Sequence, residues 1–150
     1  MDLYKELELD KFFLGGVIKK NNLKVDLNSQ NEVKETLNEA LLSHNLNSLE
    51  YEWNEVEHKN FEKMFISGLQ YNLGFTTQEV MPIEVAKKNY STLIENFSLE
   101  KCKFYTNWFG SPWDENGASS FNSISDYTLD MAISIISSDK LLIIYFLFED

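Results

Sequence analysis

Apolar residues in this chain follow two rhythms: a spacing of three and four residues through the first two thirds, and alternation near the end. Ser29-Gln30-Asn31-Glu32 has the form of a capping box, in which a hydroxyl and a carboxylate satisfy the first free amides of a helix. Val33, Leu37, Ala40 and Leu41 follow at helical spacing, which predicts a helix over about 30–44. Leu49, Trp53 and Val56, then Phe61, Met64, Phe65 and Leu69, keep the same spacing; one long helix or a short element followed by a helix satisfies it. Pro82 suits a first helical position, where its missing amide costs nothing, and Ile83, Ala86, Tyr90, Leu93, Ile94 and Phe97 line one face of a third helix over about 82–97. The opening, in which Phe12, Phe13, Leu14, Val17 and Ile18 surround Gly15 and Gly16, fits neither rhythm and receives no element.

From Lys103 onward the period changes. Tyr127, Leu129, Met131, Ile133 and Ile135 alternate with Thr128, Asp130, Ala132 and Ser134, the pattern of a strand with one buried face. Ser137-Ser138-Asp139-Lys140 supplies turn residues, and the unbroken run Leu141 to Phe148 reads as a strand covered on both faces, so the two should form an antiparallel hairpin. Phe104 to Phe109 is a further strand, followed by an irregular loop from Gly110 to Ser123. The fold class expected is α+β, with N-terminal helices packed on a C-terminal antiparallel β-sheet that contains a hairpin. The 150 residues fit one globular domain, 1–150.

Composition narrows the function. The 13 positive residues are all lysine and face 24 acidic ones, giving a net charge of −11. Without arginine the chain lacks the planar fork that clamps phosphates and reads guanine edges, and no nucleic-acid partner is expected. The longest apolar run falls well short of the roughly 20 residues of a membrane helix, so no membrane span is expected. A single cysteine, Cys102, forms no internal disulfide, and Met1 to Glu6 carries no secretory signal pattern, which suggests the cytoplasm.

Chemistry-bearing residues are few. His44 and His58 belong to no metal signature; His58 near Glu55 and Glu57 suggests a base with an orienting carboxylate, or simply a solvated histidine on a charged helix. Cys102 between Lys101 and Lys103 suggests a lowered thiol pKa, or a small apolar residue leading into a strand. Gly15-Gly16 lacks the spacing of a phosphate-binding loop, and carboxylate pairs such as Glu55 with Glu62 arise by chance in so acidic a chain. No catalytic, metal or cofactor-binding residues are assigned, and the chain is expected not to be an enzyme.

The location of the charge is more informative. Beyond Phe104, Asp114, Glu115, Asp126, Asp130, Asp139, Glu149 and Asp150 stand against Lys140 alone. Earlier, Glu50, Glu52, Glu55, Glu57 and Glu62 stand against Lys59. Solubility accounts for such a surplus, and so does a face complementary to a basic protein, with Trp113 as an aromatic anchor. The candidate partner-binding residues are therefore Trp113, Asp114, Glu115, Asp126 and Asp130, with Glu50, Glu52, Glu55 and Glu57 as the second group. The first group is expected to dominate.

Trp108-Phe109, Trp113, the run Ser123-Ile124-Ser125-Asp126-Tyr127-Thr128-Leu129-Asp130, then Ile133-Ser134-Ile135-Ile136 and the close Phe148-Glu149-Asp150, resemble immunity proteins of bacterial polymorphic-toxin systems, including contact-dependent growth inhibition. The resemblance implies a small cytoplasmic protein that binds and neutralises a cognate toxin domain, commonly a basic nuclease. It carries over no toxin-contacting residue. An acidic mimic of DNA that inhibits a DNA-binding enzyme would use the same carboxylates in place of phosphates.

Overall fold

A computed structural model describes residues 14–114 and 119–149. The strands and helices in chain order are β1 (Gly15–Lys20), α1 (Gln30–Ser43), β2 (Asn54–Val56), α2 (His58–Gln70), α3 (Ile83–Ile94), β3 (Lys103–Thr106), β4 (Trp108–Phe109), β5 (Ser120–Phe121), β6 (Leu129–Ile136) and β7 (Leu141–Phe148). This is an α+β fold. Five strands form an antiparallel sheet in the order β1-β7-β6-β3-β2, and β4 pairs with β5 beside it.

The sheet lies between two helical layers. One face of it, with Phe104, Met131, Ile133, Ile135, Leu142, Ile144 and Phe146, packs on Phe61, Phe65 and Leu69 of α2 and on Ala86, Tyr90 and Leu93 of α3. The other, with Ile18, Tyr105, Ala132, Ile136, Leu141 and Ile143, packs on Val33, Leu37, Ala40 and Leu41 of α1. Strand alternation thus sends successive residues of β7 into opposite cores, which is why that strand has no polar position.

β6 corrects the sequence reading. Its alternation predicted one solvated face, yet Asp130, Ala132 and Ser134 are buried as fully as Met131, Ile133 and Ile135, because α1 packs on that face and the 123–125 loop closes over its Asp130 end. Small and polar residues serve there because each finds a partner or needs little room: Ser134 Oγ donates to the Tyr105 carbonyl at 3.0 Å.

Local chemistry explains the element boundaries. Ser29 caps α1 by accepting the Glu32 amide at 3.3 Å, while the Ser29 amide donates to the Asp26 carbonyl, so half of the expected capping box forms. Pro82 sits at the N-cap of α3 rather than inside the helix, and its carbonyl accepts the amides of Val85 and Ala86. The stretch after Ser48 resolves into β2 followed by α2. The unassigned opening contains β1, an edge strand whose Gly16 faces Tyr145; a Cβ there would lie 2.3 Å from the tyrosine hydroxyl. Phe12 and Phe13 lie outside the described residues.

The strand expected over Phe104 to Phe109 breaks at Asn107. The Ala132 amide donates to the Asn107 side-chain oxygen at 2.7 Å, in place of a short bond to the backbone at that position. The chain then leaves the main sheet and Trp108 pairs with Phe121, their rings stacked 4.8 Å apart.

Candidate partner-binding surfaces

The break at Asn107 and the start of β6 meet in a buried polar knot that anchors the C-terminal loops. Asp130 is 0% exposed. Its carboxylate accepts from Asn107 Nδ2 at 2.8 Å, Ser123 Oγ at 2.8 Å, Ser125 Oγ at 2.6 Å and the Ile124 amide, which lies 3.1 Å from both oxygens. Trp108 Nε1 donates to the Asp130 carbonyl at 2.7 Å. A buried carboxylate is tolerated when its lone pairs are filled in this way. Asp130, expected at a partner surface, therefore organises the interior instead, while Asp126, four residues earlier, stays exposed on the loop.

The knot fixes where Trp108 and the following loop leave the sheet, and this brings together residues far apart in sequence. Glu55 and Glu57 at the β2 edge share a cleft of about 550 Å³ with Trp113 and Asp114. Trp113 is half-buried against the core under α2 and α3, and its ring nitrogen is buried without a hydrogen-bond partner. Lys59 and Lys63 also line the cleft, and Lys63 Nζ lies 3.4 Å from Asp114 Oδ1, the one ion pair among the described residues. Three carboxylates there face two ammonium groups, so the local field is weak. Glu115 lies outside the described residues.

Glu50 and Glu52 sit apart from that cleft, on the exposed segment that links α1 to β2. This segment is held by Asn38, a buried side chain on α1. Its oxygen accepts the Leu49 amide at 3.1 Å and Trp53 Nε1 at 2.8 Å, and its nitrogen donates to the Glu50 carbonyl at 2.8 Å. Glu50 has a φ of 53°, a left-handed conformation that costs a residue with a side chain about 1–2 kcal/mol. The bonds to Asn38 offset that cost and fix the direction in which residues 50–52 emerge.

Between this segment and α1 runs a second groove, of about 450 Å³, lined by Glu35, Glu39, Leu42, Glu50 and Tyr51. Leu42 is 56% exposed and Tyr51 is 64% exposed. The groove contains three carboxylates and no ammonium group; Lys34, nearby, donates to the Tyr51 carbonyl at 3.2 Å. Sequence reading missed this surface. The signal was Leu42 on the polar side of the predicted helix, one turn beyond Glu39 and two beyond Glu35, but only the tertiary arrangement sets Tyr51 beside it.

The candidates for covalent or acid–base chemistry take structural positions. Cys102 packs at the edge of the core and its Sγ lies 3.2 Å from the Ser98 carbonyl. Burial pushes its thiol up to about 11, overriding the opposing effect of Lys140, so the neighbouring lysines do not make it a nucleophile at neutral pH. His58 is not a solvated helix-surface residue: it is half-buried, stacks on Phe104 with ring centroids 5.3 Å apart, and has Nε2 3.3 Å from the Tyr90 hydroxyl. Burial, reinforced by Glu62, raises that hydroxyl to about 12. Among the described residues no three His, Cys, Asp or Glu side chains cluster to hold a metal ion, and no helix is long and apolar enough to cross a membrane. No family model, curated protein or solved structure matches the chain.

Proposed function

We propose that this chain is an immunity protein that binds a cognate basic toxin domain in the cytoplasm and neutralises it by occlusion, without catalysis of its own. The observation that carries the proposal is the uncompensated surface charge. Glu35, Glu39, Glu50, Glu52 and Asp126 are exposed and lie outside the lysine-lined cleft, while the described residues form a single ion pair, between Lys63 and Asp114. Charge left unpaired inside the molecule remains available to a partner, accelerates its approach and discriminates against acidic surfaces. The resemblance of the C-terminal third to immunity proteins points the same way.

A DNA mimic needs only carboxylates placed like phosphates. Exposed apolar groups among the carboxylates, Leu42 and Tyr51 above all, have no counterpart on a phosphate backbone and favour a protein partner. The test is co-expression in a heterologous bacterium with a candidate basic toxin domain drawn from the genes that neighbour this chain's own. Restored growth is the expected result. Continued killing by the toxin domain, with this chain folded and in excess, would overturn the proposal.

A further inference from the structure

We infer that the groove between α1 and the 46–53 segment is the docking site for the partner, and that it receives one apolar side chain flanked by lysine or arginine. The inference rests on the reading of the chain as a binder of a basic protein, and it names the face and the chemistry of the occupant.

Three observations carry it. First, the two acidic surfaces differ in net field: the cleft at the β2 edge sets Lys59 and Lys63 against three carboxylates, whereas the α1 groove sets Lys34 alone, held on the Tyr51 carbonyl at its rim, against Glu35, Glu39 and Glu50. A cationic segment gains more from the second, because more of its negative charge is left without an internal cation. Second, the groove contains apolar surface that the fold leaves uncovered. Leu42 and Tyr51 are more than half exposed while most other leucines of the described chain are in the core, and an aromatic ring beside an aliphatic wall suits an inserted apolar side chain or the face of a guanidinium. Third, the groove is pre-shaped: Asn38 holds the Glu50 carbonyl and the Leu49 amide, so little ordering remains to be done on binding.

The occupant is accordingly a protein segment with a basic-apolar-basic pattern rather than a polyanion or a purely cationic polymer. The experiment maps amide chemical shifts of the full chain while titrating a short lysine peptide that carries one central leucine, and separately its all-lysine counterpart. The expected result is that shifts concentrate on residues 35–42 and 48–52, and that the leucine peptide binds about tenfold more tightly, as one inserted anchor should provide. Leu42→Lys, an exposed substitution whose retained spectrum verifies folding, should abolish that preference, and Tyr51→Ala should reduce it. Equal binding of the two peptides, or shifts centred on Trp113 and Asp114, would overturn the assignment. Because no toxin domain enters this experiment, its failure leaves the growth-protection test untouched, and a groove that binds the peptide in a chain that fails to protect would separate the two.

Discussion

Asp130, named as a candidate for a partner surface, is buried in the interior. Strict alternation put it on the solvent side of β6, since nothing in the sequence reveals that the 123–125 loop folds over it. Its carboxylate instead satisfies donors from Asn107, Ser123, Ser125 and Ile124. Replacing Asp130 with Ala should strand these donors and cost about 2–4 kcal/mol, read as a lowered urea midpoint, with Asp130→Asn losing less because it retains one acceptor oxygen. An alanine variant as stable as the parent would show that the knot contributes nothing. Buried acids of high pKa give a second prediction. Burial, and then the charge and hydrogen bond of Glu55, raise Tyr105 from 10.0 to about 12, and burial raises Cys102 from 9.0 to about 11. The folded chain holds these protons after the unfolded chain has released them, so their contribution is complete below pH 9 and is lost as pH rises towards 12. Urea midpoints measured across that range should fall, and the Tyr105→Phe variant should fall less steeply; parallel slopes would contradict the assignment.

At the scale of elements, the sequence was informative wherever burial alone sets the pattern. The helix predicted over about 30–44 is observed as Gln30–Ser43, and the hairpin of β6 and β7 runs in register from Leu129 opposite Phe148 to Ile136 opposite Leu141. Periodicity reports whether a position is covered and says little about which strands are neighbours. It therefore missed β1, whose glycines serve the close approach of Tyr145, and it could not place β2 at the far edge of the sheet. The break at Asn107 was also hidden, because a side-chain amide standing in for a backbone group leaves no mark on hydrophobic spacing. The prediction at this scale concerns β7. Ile143 is completely buried between the sheet and α1, so Ile143→Ala should cost about 2–5 kcal/mol through lost transfer energy and a residual cavity, measured by thermal or chemical unfolding. An unchanged midpoint would mean that the α1 layer does not pack on the sheet as described.

For the whole molecule, the surplus of acidic residues was legible as a number but not as a surface. Folding removes Asp130 to the interior, pairs Asp114 with Lys63, and turns the Asp139 carboxylate onto Ser137 Oγ at 2.8 Å in the hairpin turn. Between α1 and residues 48–51 three carboxylates and two exposed apolar side chains share one groove, a juxtaposition made by Asn38 across the fold. A binder built on this field should associate quickly at low salt and lose speed as screening shortens its reach, whereas its apolar anchors should set the dissociation rate. The most direct measurement is a stopped-flow titration of the purified chain against the basic toxin domain proposed as its partner, at ionic strengths from low to physiological and above. The expected result is a tight complex whose association rate falls steeply with salt, with Glu35→Gln and Glu39→Gln together flattening that dependence and Tyr51→Ala speeding dissociation. A chain that forms no complex at low salt, or one whose association rate is indifferent to ionic strength, would contradict the central claim.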